Sequence, residues 1–165
     1  MNRFTQHYEL QQARSSANCL KFTVANLPKL TWDCVLTCLN ENVKYNRPLK
    51  VLPRFGIVIH DTTMNSAICD LIKEIGVLDS DLKSSAHLYV SLTDTAETFG
   101  WHKDTSDVIF WQAIGKTLFS VRQGYRIIDH ILEPNDLLYI PRGIMHNTRP
   151  LTPRAGVSFG LDYLT

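Results

Sequence analysis

Leu132-Glu133-Pro134-Asn135-Asp136-Leu137-Leu138-Tyr139-Ile140-Pro141-Arg142-Gly143-Ile144-Met145-His146 is the stretch on which the reading of this chain turns. Turn-forming residues, Pro134 to Asp136, lead into four apolar residues, Leu137 to Ile140. A second turn built on Pro141 and Gly143 follows and delivers a histidine. Upstream, Gly100-Trp101-His102-Lys103-Asp104 supplies a second imidazole and a carboxylate. In extended chain the side chains alternate, so His102 and Asp104 project to one side and Lys103 to the other. With His146 brought in from a second strand, three donors can cap one face of a metal ion.

Working outward, the sequence after about residue 86 consists of short strands divided by turn residues, with no helical stripe. Ala86-His87-Leu88-Tyr89-Val90-Ser91-Leu92 alternates, with Ala86, Leu88, Val90 and Leu92 on one face and His87, Tyr89 and Ser91 on the other. Val108 to Val121 reads as one longer extended stretch. Its apolar face carries Trp111, Ala113, Gly115, Thr117, Phe119 and Val121, while Gln112, Lys116, Ser120 and Arg122 mark the other. Tyr125 to Leu132 and Ala155 to Leu161 complete the set.

Earlier in the chain the period is helical. Thr31 precedes Trp32, Val35, Leu36 and Leu39, which predicts a capped amphipathic helix ending near Asn40 to Asn42. After Thr63, the stripe Met64, Ile68, Leu71, Ile72 and Ile75 predicts another, with Gly76 as its left-handed C-terminal residue. Arg54 to His60 reads as a strand between them, and residues 1–30 give little signal beyond an apolar run at Phe22 to Val24. Helices followed by closely spaced antiparallel strands predict an α+β chain, a jelly roll or small barrel with N-terminal helices packed on it. No repeat or linker divides it. Residues 1–165 are therefore expected to form one domain, with a helical part at about 1–80 and a β core at about 86–165.

Composition narrows the function classes. The 165 residues suffice for one buried core, and 17 Lys and Arg against 16 Asp and Glu leave a formal net charge of +1. That balance argues for neither a nucleic-acid nor a membrane partner, and the basic residues between Lys44 and Arg54 read as a solvated patch. Cys34 and Cys38 do not have zinc-finger spacing and no second pair follows. With Cys19 and Cys69 they are expected to be reduced thiols of a cytoplasmic protein. No apolar run approaches the roughly 20 residues of a membrane helix, and the polar start does not read as a signal peptide.

Taken together, these motifs resemble the cupin-like, JmjC-type branch of the Fe(II)/2-oxoglutarate oxygenases, a double-stranded β-helix family. His102-Lys103-Asp104 is similar to the family's H-x-D, and Gln112 with Gly115 to its Q-x-x-G. Asn135 to Gly143 is similar to its G-D-x-L-Y-I-P-x-G segment. Asn135 replaces the usual glycine, a mild change because asparagine tolerates positive φ. Arg154 to Leu161 resembles the closing strand. The resemblance spans residues 86–161 and implies that His102, Asp104 and His146 are the catalytic Fe(II) ligands, leaving three positions for cosubstrate and O2.

The resemblance also implies 2-oxoglutarate, held by a Lys or Arg two residues beyond the matching glycine, where this chain has Thr117. Two basic residues are alternatives. Lys116 falls on the opposite face unless a bulge at Gly115 turns it inward. Arg154 shares strand parity with Ser158 and resembles the Arg and Ser pair of other double-stranded β-helix oxygenases. Its planar fork is the better match to a carboxylate, although a solvated loop arginine after Pro153 is the competing reading. Thr98 and Tyr89 are weaker candidates for contacts to the cosubstrate. Trp101 is placed near the pocket and Trp111 in the core, while His7, His60, His87 and His130 lack a ligand partner at recognisable spacing.

The activity so implied is hydroxylation of a protein side chain or small molecule, coupled to conversion of 2-oxoglutarate and O2 to succinate and CO2. Two other classes stay open. One is a metal-dependent cupin enzyme that does not use 2-oxoglutarate, for which Thr117 speaks, although such cupins usually carry H-x-H and a following glutamate. The other is a non-catalytic cupin-like binding module.

Overall fold

The computed structural model describes residues 2–60, 62, 65–78 and 82–163. In chain order the elements are α1 (Tyr8–Ser16), β1 (Leu20–Thr23), α2 (Trp32–Lys44), β2 (Leu49–Leu52), β3 (Gly56–Ile59), α3 (Ser66–Gly76) and β4 (Leu82–Ser91). They continue with β5 (Asp107–Ile114), β6 (Thr117–Gln123), β7 (Arg126–Leu132), β8 (Asp136–Ile140), β9 (His146–Pro150) and β10 (Arg154–Tyr163). The strands form a seven-stranded sheet ordered β1-β8-β5-β10-β4-β3-β2 and a three-stranded sheet ordered β7-β6-β9. Among the described residues every strand pairing is antiparallel.

The result is an α+β chain built on a β-sandwich, with two cores. Leu10 of α1 and Ile68, Leu71 and Ile75 of α3 pack with Leu88, Trp111, Val157 and Phe159 on the outer face of the large sheet. On its inner face Val108, Phe110, Leu138 and Ile140 meet Phe119, Val121 and Leu132 of the small sheet. β5 serves both cores, so its residues from Asp107 to Gln112 are all buried. No helix among the described residues is long and apolar enough to cross a membrane.

Local chemistry accounts for the helices. Thr31 caps α2, its hydroxyl accepting the Cys34 N–H at 3.3 Å, and Asn65 caps α3 by accepting the Ile68 N–H at 3.2 Å. The stripe of α3 is buried as expected at Ile68, Leu71, Ile72 and Ile75, while Thr63 and Met64 lie outside the described residues. Gly76 is still helical, and the cap is Val77 at φ −77°, so no left-handed glycine ends this helix. α2 runs past its expected end to Lys44. It buries Val35, Cys38 and Asn42, leaving Leu36 55% exposed, a face turned from the one expected.

The expected single strand from Val108 to Val121 is two strands in different sheets. Gly115 breaks it at φ +69°, and a Cβ there would stand 2.1 Å from the Pro153 carbonyl oxygen. The Gln112 carboxamide, buried beside this corner, donates to the carbonyls of Ile114 at 2.7 Å and Gly115 at 3.2 Å. Asn135 adopts φ +77° at the turn into β8, in keeping with its replacing a glycine. Leu92, assigned to the buried face of its strand, lies beyond the end of β4 and is 47% exposed.

Candidate metal centre

His102 and His146 face each other in an isolated antiparallel bridge at the start of β9. The His102 N–H donates to the His146 carbonyl at 2.9 Å and the His146 N–H to the His102 carbonyl at 2.8 Å. Two residues on, the Asp104 carbonyl accepts the Gly143 N–H at 2.9 Å, so the Pro141–Gly143 turn is fastened to the H-x-D segment through main chain. The imidazole centroids are 4.3 Å apart, and His146 Nε2 lies 3.6 Å from Asp104 Oδ2. One ligand atom from each of the three residues falls within 4.8 Å of the others.

Both imidazoles are held by main-chain carbonyls. His102 Nδ1 is 2.8 Å from the Gly100 carbonyl and His146 Nδ1 is 3.0 Å from the Ile144 carbonyl. A carbonyl only accepts, so each Nδ1 carries a proton, and in the neutral ring this leaves the lone pair on Nε2. Burial pushes His146 below the usual imidazole range, against the pull of the Ile144 carbonyl, and this favours the neutral ligand form. Buried Asp107 supports the same turn, its carboxylate accepting the Tyr139 hydroxyl and the Arg142 N–H, each at 2.9 Å.

These three side chains open onto a cleft between the sheets, about 570 Å³ counting the part open to solvent. Its large-sheet wall carries Tyr89 and Ser91 of β4 with Arg154 and Ser158 of β10, and Phe119 and Thr148 come from the small sheet. Register explains the grouping, because Arg154 lies opposite Ser91 and Ser158 opposite His87. Arg154 is 3% exposed. Its Nε donates to Ser91 Oγ at 3.2 Å, and its Nη1 is buried with no partner. A buried guanidinium N–H without an acceptor is costly on its own and suits a bound anion. Burial lowers the Arg154 pKa to about 10, so it remains charged at neutral pH. Burial, then the charge of Asp104, pushes the Tyr89 phenol up to about 12, so it stays protonated.

The sequence candidates separate clearly in space. Tyr89, Thr98, Arg154 and Ser158 line the cleft with His102, Asp104 and His146. The Thr98 hydroxyl donates to the Thr148 carbonyl at 2.8 Å. Lys116 does not reach the cleft. It is half-exposed and paired with Glu133 at 2.5 Å, and the bulge in this region falls where Ala155 and Gly156 meet β5, without turning Lys116 inward. Thr117 is fully buried with an unpartnered hydroxyl, but it is not among the residues lining the cleft. Ser91, Phe99 and Asp107 were not singled out from sequence. Ser91 shares the polar face of Tyr89, which was a usable signal, whereas Phe99 and Asp107 gain their places only through folding.

Residues 117–165 match the JmjC domain family, a stretch that includes His146 and Arg154. No curated protein matches the sequence. Among solved structures, the chain is similar to YcfD, a ribosomal oxygenase from Escherichia coli, in complex with cobalt and succinic acid. The identity is 16% and the TM-score 0.71, over 90% of this chain and 49% of that one. A second YcfD structure, with cobalt and 2-oxoglutarate, matches at 22% identity and TM-score 0.59, over 69% and 34%. The 11S allergen of Cocos nucifera matches at 19% identity and TM-score 0.50, over 70% and 30%. The chain thus spans about half the length of the first of these YcfD chains. The resemblance to the cupin-like, JmjC-type family is borne out by the JmjC match over residues 117–165, and over 90% of the chain the fold is shared with YcfD.

Proposed function

We propose that this chain is an Fe(II)- and 2-oxoglutarate-dependent oxygenase that hydroxylates a protein side chain or a small molecule. One observation carries the reading: the two-histidine, one-aspartate face shares a cleft with buried Arg154, whose Nη1 has no partner. Two imidazoles and a carboxylate on one side of a site suit Fe(II) with open positions. A 2-oxoglutarate carboxylate would supply the acceptor that Arg154 lacks, with Tyr89, Ser158 and Thr98 beside it. The YcfD complexes with cobalt and with 2-oxoglutarate agree with this reading. The ribosomal role in that protein's name is not carried over at this identity and coverage.

Iron bound there would supply the oxygen activation that couples 2-oxoglutarate decarboxylation to hydroxylation of a C–H bond. The chain's own residues supply placement and environment. His102 and His146 are held by their Nδ1–H bonds, and Asp104 contributes the anionic donor. Arg154 is fixed by Ser91, so its remaining N–H groups are oriented before a carboxylate arrives, and a charge-assisted pair is strong in this buried setting. Tyr89 keeps its proton and offers a neutral donor. Phe110, Phe119 and Ile140 keep water from the inner end of the cleft. On this reading the two sheets are those of a double-stranded β-helix, and the four free cysteines accord with work in the cytoplasm.

Anaerobic titration with Fe(II), with and without 2-oxoglutarate, tests the proposal. A weak visible charge-transfer band is expected only when both are present, and His102→Ala should abolish it. Iron binding without the band would transfer the site to other cupin chemistry, and absence of iron binding would leave a binding module.

A further inference from the structure

Residues 43–55, Val43-Lys44-Tyr45-Asn46-Arg47-Pro48-Leu49-Lys50-Val51-Leu52-Pro53-Arg54-Phe55, carry four basic residues and no acidic one. β2, within this run, is the outermost strand of the large sheet, so among the described residues one of its backbone edges has no partner strand. Val51 is 69% exposed and Phe55 66%. A lysine on an edge strand can serve simply to deter chance pairing. Here Lys50 instead lies over the Phe99 ring, 4.4 Å from its centroid. Phe99 lines the cleft and meets the His102 ring edge-on at 5.9 Å, so the ammonium stands one ring away from a metal ligand.

The two faces of β2 differ in chemistry. Leu52 lines the cleft, and Lys50, two residues earlier, shares its face, while Leu49 and Val51 occupy the other. A strand added along this edge would place alternate side chains beside Lys50 and beside the Leu49–Val51 pair. Acidic residues complement the first row and apolar residues the second. Lys44 and Arg47, both against the Tyr45 ring, extend the positive charge at one end. Arg54 at the other end is offset by Glu97 at 3.1 Å. Among the described residues Lys44, Arg47 and Lys50 have no carboxylate partner.

We propose that the β2 edge docks an extended polypeptide segment of alternating acidic and apolar residues at the mouth of the cleft. Its further role, presenting a neighbouring side chain to the centre, rests on the oxygenase reading. Strand pairing favours a polypeptide over a nucleic acid, which offers no matching backbone ladder.

Fluorescence anisotropy on the full chain without metal or 2-oxoglutarate tests docking independently of that reading. The probes are a labelled dodecapeptide alternating Asp and Val, its Lys-Val and Asp-Pro counterparts, and a single-stranded oligothymidylate. The Asp-Val peptide should bind, while the Lys-Val and Asp-Pro peptides should bind at least tenfold more weakly. Lys50→Glu and Val51→Pro should each weaken the Asp-Val complex about tenfold, with thermal melts verifying that the variants fold. Equal binding of both peptide charges, insensitivity to both folded variants, or preference for the oligonucleotide would overturn the proposal. Because no iron is present, these outcomes are distinct from loss of the charge-transfer band.

Discussion

Arg154 joins the fold to the chemistry proposed for the cleft. Its guanidinium is enclosed by the sandwich, with Nε donating to Ser91 Oγ and Nη1 buried without a partner among the described residues, and the side chain lines the proposed cosubstrate cleft. Arg154→Ala should therefore raise the 2-oxoglutarate concentration required for turnover at least about tenfold, while Fe(II) affinity stays nearly unchanged. Lys116→Ala, away from the cleft and paired with Glu133, should leave both alone. The sign with pH follows from the depressed pKa. Arg154 carries its charge below about 10, so 2-oxoglutarate binding should be level near neutrality and weaken as pH rises through about 10. Titration calorimetry across that range checks it, and an affinity that rises through the same interval would remove Arg154 from the role. Asn135 at φ +77° gives a second test. Asn135→Gly should be neutral or stabilise by up to about 1 kcal/mol in a denaturant melt, since glycine adopts that conformation without a Cβ penalty.

The break between β5 and β6 shows how one backbone position distributes two strands between two sheets. Gly115→Ala would force a side chain into both a left-handed conformation and the Pro153 carbonyl at 2.1 Å, so a loss of about 2 kcal/mol or more is expected by chemical denaturation. A loss below about 0.5 kcal/mol would mean that this corner does not constrain the fold. The same corner marks where sequence reading stopped. Apolar parity runs unbroken from Trp111 through Gly115 to Val121, so a single glycine was the only sign of the change of sheet. The strand read from Ala86 to Leu92 falls largely within β4, and that read from Leu137 to Ile140 within β8; both were legible because alternation or flanking turns bounded them. α1 was not, since it buries only Leu10 and Ala13, and neither was β9, whose His146-Asn147-Thr148-Arg149-Pro150 has no apolar pattern. The grouping of His102, Asp104 and His146 was legible because candidate ligand chemistry is carried by residue type and local spacing. The pairing of Ser91 with Arg154, 63 residues apart, was not, because only the β4–β10 register places them together.

The whole sandwich has a feature that none of its elements shows alone: the proposed metal would fasten one sheet to the other. His102 and Asp104 lie in the segment that enters β5 of the large sheet, whereas His146 begins β9 of the small one. In the unfolded chain these donors are separated by more than 40 residues, so metal binding should favour the folded state and appear directly as stability. At a free metal concentration about a hundredfold above Kd, the linkage amounts to ~2.7 kcal/mol. For a chain of this size that corresponds to a rise in Tm of roughly 5–10 °C. Anaerobic scanning calorimetry with Fe(II), or with Co(II) as a redox-stable substitute, measures it. 2-Oxoglutarate should add a further increment only when metal is present and Arg154 is intact, because the two sites share one cleft. Asp104→Ala should remove the metal response while leaving the metal-free Tm close to that of the parent, its partly exposed side chain contributing little packing. An equal rise in that variant would place the metal elsewhere on the surface, and a 2-oxoglutarate response that survives Arg154→Ala would separate the anchor from the centre.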